Sequence, residues 1–313
     1  MASLSPKLDE GYLMHRRPTI TRRSLLKSSA AAAGAVLAGV RHAPVFAADS
    51  EASAKDGAVV IDCHAHLCHH SQADYREKDL LLIEAADKLG IDKLCCSILT
   101  PRRPATPEGF RECNGWLAEA IEQFPGRVLG YCYVNPGHTS EALDEIRRSI
   151  EERGFMGVKL YNEHVCTEPV VFPVVELAIE LRVPILHHAG RIHHPFPEQP
   201  NISDGGDLAE LGRRYPEARI ICAHVGGGGD WEWTIKALRH APNIYLDTSG
   251  SVVDDDMIGL AASTLGTDRL LFGCDMSMTA GIGKIRAADL EEADKQKILG
   301  GNMTRLLAMR NGT

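Results

Sequence analysis

The fold that this sequence predicts is α/β, a single-domain (β/α)₈ TIM barrel, and three observations carry it. Eight short apolar runs, rich in β-branched residues and cysteine, recur along the chain from residue 58. Stretches with apolar residues at three- and four-residue spacing separate them, the signature of one-sided helices. No linker divides residues 58–313, and eight strand–helix repeats in about 250 residues is the count that closes a parallel barrel. An open doubly wound sheet normally has fewer strands and needs no eighth repeat.

The chain opens on a segment set aside from the fold. TRRSLLKSS (Thr21 to Ser29) places paired arginines ahead of the small, apolar run AAAAGAVLAGV, too short and too rich in Ala and Gly for a membrane span. Val45, Phe46 and Ala47 then offer the small residues that a signal peptidase reads. The pattern resembles a twin-arginine export signal, with Leu25 where that signal usually carries Phe. Residues 1–47 are therefore expected to be the signal and 48–57 a linker, leaving no stable membrane anchor after cleavage. The implied destination is the periplasm or the medium, reached as a folded protein through the twin-arginine machinery. Folding in the reducing cytoplasm would reconcile free thiols with that destination.

The first strand candidate, VVIDCHAH, belongs to the stretch Val59 to Leu67 and is an apolar, β-branched run of the kind buried in parallel sheets. Alternation turns His64 and His66 the same way, with Asp62 one step deeper on that face. Two imidazoles at a strand end can reach one metal ion, or can be polar residues bonded to their neighbours. Seven more candidates follow: DKLCCSIL, RVLGYCYVN, GVKLY, VPILHHA, RIICAHV, NIYLDTS and RLLFGCD. Between them lie DLLLIEAADKLG, GWLAEAIEQF, SEALDEIRRSIEERG, FPVVELAIELR, GDLAELGRRY, WTIKALRH and DDDMIGLAAS. LEEADKQKILGGNMTRLLAMR reads as a closing helix pair packed on the outside.

Composition sets the outer bounds. An apolar share of 44% and a charged share of 24% fit a soluble globular protein. A net charge of -8 without a basic patch argues against nucleic acid as a partner. Nine cysteines cannot all pair, and most sit in apolar runs as small buried hydrophobes.

A barrel places its active site at the C-terminal ends of the strands. Those ends carry His64 and His66, Lys159, His187 and His188, His224, Asp247 and Thr248, and Asp275. Three or four histidines with one aspartate suit a first-row divalent ion, zinc first, with manganese or iron as alternatives.

The ordered set Asp-x-His-x-His, GVKLY, PILHHAG, AHVGG, NIYLDTSG, LFGCD and GNMTRLL resembles the amidohydrolase-related family. This branch of the amidohydrolase superfamily contains aminocarboxymuconate-semialdehyde decarboxylase, related aromatic-acid decarboxylases, and lactone or dicarbonyl hydrolases. The resemblance covers essentially the whole chain after the signal segment. It implies His64, His66, His188 and Asp275 as metal ligands, Asp275 also taking a proton from metal-bound water. His224 is implied as the non-ligating histidine that steadies that water or developing charge. His188, not His187, fits the Pro-x-x-x-His-x-Gly pattern, and alternation turns His187 toward the helices. Lys159 has three readings: a carbamylated metal bridge as in other branches, a cation for a substrate carboxylate, or a salt-bridge partner inside the barrel.

Gly226 to Gly229 lack the ending of a phosphate loop and read as a tight turn under the site. The proline-bearing loop Gly190 to Gly206 lies on the catalytic face, where Arg191, His193 and His194 could contact substrate or simply face solvent. His69 and His70, just past the first motif, are ambiguous; His15, His42, His138 and His240 read as surface residues. The leading expectation is an exported metal-dependent hydrolase of a small carbonyl compound such as a lactone or amide. Its rivals are a non-oxidative decarboxylase built on the same ligands and a metal-binding protein without turnover. The expected partner is a small-molecule substrate, with a homo-oligomer possible.

Overall fold

The structure is a computed structural model that describes residues 58–190, 199–225, 230–250, 252–275 and 277–311. All of them belong to the compact unit Lys55–Thr313, and residues 1–57, the expected signal segment and linker, lie outside the described residues. So do Arg191, His193, His194 and Gly226 to Gly229. Among the described residues no helix is long and apolar enough to cross a membrane.

Eight strands run in chain order around one parallel sheet: β1 (Ile61–His66), β2 (Lys93–Ser97), β3 (Val128–Tyr133), β4 (Gly157–Leu160), β5 (Ile185–His187), β6 (Ile220–Cys222), β7 (Ile244–Asp247) and β8 (Leu270–Leu271). The chain beyond β8 closes the ring on β1. Cys63 donates its N–H to the Phe272 carbonyl (2.8 Å), and Asp275 donates its own to the His64 carbonyl (2.6 Å). Each strand is apolar on both sides because it faces the barrel interior and the helices at once. Ile61, Cys63, Cys95, Tyr131, Leu186, Ile221 and Leu271 form the inner cluster. Ile185, Ile220, Ile244 and Leu270, one residue out of phase, pack on the helix layer.

The helices form where one-sided spacing and local caps agree. α1 (Tyr75–Leu89) ends on Gly90, whose φ of 70° is the left-handed stop that glycine adopts without a Cβ clash. α2 (Pro107–Gln123) starts where the Thr106 side chain accepts the Gly109 N–H, with proline at the first helical position. Met303 and Leu306, on the helix Asn302–Ala308, join the inner cluster rather than the outer layer. That helix therefore plugs the barrel, where the sequence pattern placed the closing pair outside.

One sequence expectation fails in β1. Pairing with β2 shifts register between Asp62 and Ala65, a bulge that inserts an extra residue and restarts the alternation. Ile61 and Cys63 face inward before it, so Asp62 does not share the face of His64 and His66. Its carboxylate Oδ1 instead accepts the His64 N–H (2.9 Å) and the Cys274 N–H (3.0 Å), clamping β1 to the chain after β8.

Candidate metal centre

His64 is fully buried, and each ring nitrogen is committed. Nδ1 donates to the Asp247 carboxylate at 2.7 Å, while Nε2 accepts from the Lys159 ammonium at 2.8 Å. Asp247 stands at the end of β7 and also accepts the Ser249 N–H (2.6 Å) and the Ser249 hydroxyl (2.9 Å). It is thereby fixed as the orienting partner that metal-bound histidines usually have. Gly273 lets this happen: a Cβ there would collide with the Asp247 carboxylate. Burial raises the Asp247 carboxyl to about 6, against the lowering by its Ser249 bonds and by Lys159.

His66 Nδ1 donates to the Ser97 carbonyl at 3.0 Å, which leaves a lone pair on Nε2. That nitrogen faces Asp275 Oδ1 at 3.4 Å. Burial first, then Lys159, pushes the His66 imidazole down to about 3, so the ring holds no second proton near neutrality. Two acceptors thus face each other, an arrangement that a shared proton or cation satisfies. Donor atoms of His64, His66 and Asp275 all lie within 4.8 Å of one another, a two-imidazole, one-carboxylate set that fits a divalent ion once Lys159 releases the His64 Nε2 lone pair. Asp275 sits at φ 52°, in the left-handed region, and burial raises its carboxyl to about 6 although Lys159 pulls the other way.

His188 is not in that group. Its ring is bonded through Nδ1 to His224 Nε2 at 2.9 Å and stacks on Tyr161 at 4.2 Å between centroids. His224, at φ 67°, meets the Ser249 hydroxyl through Nδ1 at 3.0 Å and lies 3.7 Å from Asp275 Oδ2. The left-handed backbone matters here because Ala223 already faces inward, so alternation alone would aim His224 at the helices. His187 does point outward in phase with Ile185, and its buried ring bonds the His188 carbonyl at 2.7 Å.

Lys159 is buried, and among the described residues no carboxylate lies within ion-pair distance of it. Desolvation pushes its ammonium down to about 8, opposed by Asp275 and Asp247. A salt bridge within the barrel is therefore absent from the described residues, and the lysine's contact is with His64. A cavity of about 310 Å³ opens beside the centre, lined by His66, Leu67, Cys68, Tyr161, His188 and Asp275 among others. The Arg103 guanidinium lies over the ring of the lining residue Tyr161 at 3.6 Å, a second cation near the centre. Sequence reasoning found Asp247 at the end of β7 without giving it a role, and gave none to Ser249, Tyr161 or Arg103. The Asp-Thr-Ser run closing β7 was the available signal for the first two.

Residues 61–309 match the Amidohydrolase family. The chain belongs to that family. Among curated proteins it is 24% identical over 285 residues to gamma-resorcylate decarboxylase of Polaromonas sp., covering 72% of this chain and 86% of that protein. It is 21% identical over 238 residues to 2-amino-3-carboxymuconate-6-semialdehyde decarboxylase of Dictyostelium discoideum, covering 63% and 65%. The same barrel occurs in the solved dihydroxybenzoic acid decarboxylase of Polaromonas sp., with bound manganese and 2-nitroresorcinol. The TM-score is 0.62 at 21% identity, over 82% of this chain and 98% of that one.

These relatives overturn the hydrolase expectation, since both curated ones break a carbon–carbon bond to a carboxyl group. The mistake has a physical origin. An ion that polarises oxygen and a carboxylate that moves a proton serve water attack and decarboxylation alike. The donor residues therefore do not say which bond is cleaved.

Proposed function

We propose that this amidohydrolase-family protein is a metal-dependent, non-oxidative decarboxylase of a small aromatic or unsaturated carboxylic acid. The observation that carries the reading is the placement of the His66–Asp275 acceptor pair on a cavity lined by Tyr161 and His188, with the buried Lys159 ammonium bonded to His64 behind it. The decarboxylase relatives supply the reaction class.

Loss of CO₂ leaves an electron pair on the carbon that carried the carboxylate, and a proton must take its place. The substrate carboxylate and one proton become CO₂ and a new C–H bond, so no oxidant or reductant is needed. Asp275 is the proton carrier: burial raises its carboxyl to about 6, where it can hold a proton near neutrality and release it to carbon. Lys159 and Arg103 supply positive charge toward an anionic substrate, and Tyr161 and His188 offer flat faces to an unsaturated ring. His224, bonded through Nε2 to His188 and through Nδ1 to Ser249, orients the far wall of the cavity. A divalent ion held by His64, His66 and Asp275, with His188 as the fourth candidate ligand, would neutralise the carboxylate and a neighbouring oxygen. Zinc suits the imidazole-rich set, and the manganese of the solved relative makes Mn²⁺ its competitor.

The test is CO₂ release from hydroxybenzoates and unsaturated dicarboxylates by metal-stripped protein reconstituted with Zn²⁺ or Mn²⁺. Metal-dependent CO₂ formation is expected, with Asp275→Asn folded but at least about 100-fold slower, the scale of one lost acid–base group. Inactivity on carboxylates alongside metal-dependent ring opening of lactones would refute it. We also propose that residues 1–47 export the enzyme; fractionation of cells carrying Arg22→Lys with Arg23→Lys should find the protein retained in the cytoplasm.

A further inference from the structure

We infer that His69, His70 and Glu119 form a second site for a divalent transition metal, separate from the candidate catalytic centre. Their donor atoms lie within 4.8 Å of one another. His69 Nε2 stands 3.7 Å from Glu119 Oε2, and His70 Nε2 stands 2.9 Å from the same oxygen. Those separations bracket about 3.4 Å, the edge of a tetrahedron built on metal–ligand bonds of about 2.1 Å.

Three independent features arrange this set. His69 Nδ1 donates to Asp79 Oδ2 at 3.3 Å, which leaves the Nε2 lone pair aimed at Glu119. Asp79 is buried on α1, and its other oxygen accepts the Cys68 N–H at 2.8 Å, so ring and backbone are held by one carboxylate. This is the carboxylate–histidine relay that fixes the tautomer of a metal ligand. Adjacent residues in extended chain point apart, but His70 has φ 55° and so turns its ring to the same side as His69. Glu119 comes from α2 and is 60% exposed, leaving solvent to complete the coordination. The His69 Nε2–Glu119 pair again sets two acceptors face to face, the arrangement a cation relieves.

An ion here would tie the loop after β1 to α2. That loop carries Cys68, Ser71 and Gln72, which line the catalytic cavity, while His70 and Trp116 line a neighbouring cavity of about 530 Å³ that shares Ser71. The second ion would therefore hold one wall of the substrate cavity in place without touching the substrate.

Trp116 gives a direct readout, its ring lying 6.0 Å from that of His70. Full-length protein stripped of metal is titrated with Zn²⁺ alone, and separately with Co²⁺ while tryptophan emission is followed. The wild type should take up two Zn²⁺ per chain. Glu119→Gln and His70→Asn should each weaken one binding step by at least about tenfold, the scale of a lost ligand or its support. Both variants should keep the unfolding temperature of the metal-free wild type, since Glu119 is exposed and asparagine tolerates a left-handed backbone. Co²⁺ quenching should persist in Asp275→Asn and vanish in Glu119→Gln and in Trp116→Phe. One zinc per wild-type chain that only Asp275→Asn removes, or quenching unchanged in Glu119→Gln, would overturn the inference. One zinc that Glu119→Gln removes and Asp275→Asn spares would instead strike the catalytic reading and leave this one standing.

Discussion

Replacing Asp247 with asparagine should move metal affinity and metal-free stability in opposite directions. In the native protein Oδ1 takes the Ser249 N–H, while Oδ2 takes the His64 Nδ1–H at 2.7 Å. An asparagine oriented to keep the Ser249 N–H bond presents an amide NH₂ to His64 Nδ1. The imidazole must then shift its proton to Nε2, the nitrogen assigned to the ion. Loss of such an orienting carboxylate costs about 10–100-fold in metal affinity, or about 1.4–2.8 kcal/mol. Stability runs the other way. Burial raises the folded carboxyl from 3.8 to about 6, so the native state holds that proton more tightly than the unfolded chain does. Stability therefore falls as pH rises from about 4 to about 6, and the ionised group then costs on the order of 3 kcal/mol. Asparagine mimics the protonated form and lifts that cost at neutral pH, a gain reduced by the bond that His64 Nε2 no longer accepts from Lys159. Chelator-competition binding and thermal unfolding at pH 7.5, with and without metal, measure both signs. Wild-type metal affinity, or a metal-free variant that no longer folds, would refute the reasoning.

Two further outcomes follow from the same geometry. Of the nine free cysteines only Cys68 is part-exposed, so a native thiol titration should label one equivalent and Cys68→Ser should remove it. Burial first and Asp79 next raise the Cys68 thiol, so less thiolate is present at a given pH and labelling should quicken about tenfold per pH unit up to and beyond the ordinary 9.0; a rate flat from pH 7 to 9 would contradict this. Gly273→Ala should push the Asp247 carboxylate off His64 and lower metal affinity as Asp247→Asn does, but with loss of stability of about 1–3 kcal/mol from overpacking, measured by urea unfolding.

Much of this architecture was legible because parallel strands buried on both sides read as apolar runs, and their phase survives in the sequence. The His187–His188 choice rests on the resemblance, whose Pro-x-x-x-His-x-Gly pattern falls on His188, and the phase of Ile185 and Leu186 agrees with it. Phase also misled. A bulge and a left-handed residue cost the sequence no distinctive letter, so neither the loss of Asp62 from the His64 face nor the inward swing of His224 could be read from alternation. Asp247 was visible at a strand end but not as the partner of His64, because that contact joins residues 183 apart in sequence. The reaction was the least legible, for the donors are common to both chemistries.

The irregularities and the chemistry coincide, and that coincidence argues for function more strongly than the donor set alone. Regular alternation would send one residue in two from each strand into the barrel, yet β1 delivers His64 and His66 only after its bulge, and His224 and Asp275 are both held at positive φ. A non-glycine residue in such a conformation costs about 1–3 kcal/mol and persists only where its surroundings over-determine it. Here they do. Asp62 binds the backbone of His64 and of Cys274, Asp275 donates its own N–H back to the His64 carbonyl, and Ser249 ties His224 to Asp247. A barrel selected only to fold would gain from relaxing these residues to ordinary geometry. The clamps hold them where a lone pair on His66 confronts the Asp275 carboxylate, an arrangement that is unfavourable until a proton or a cation fills it.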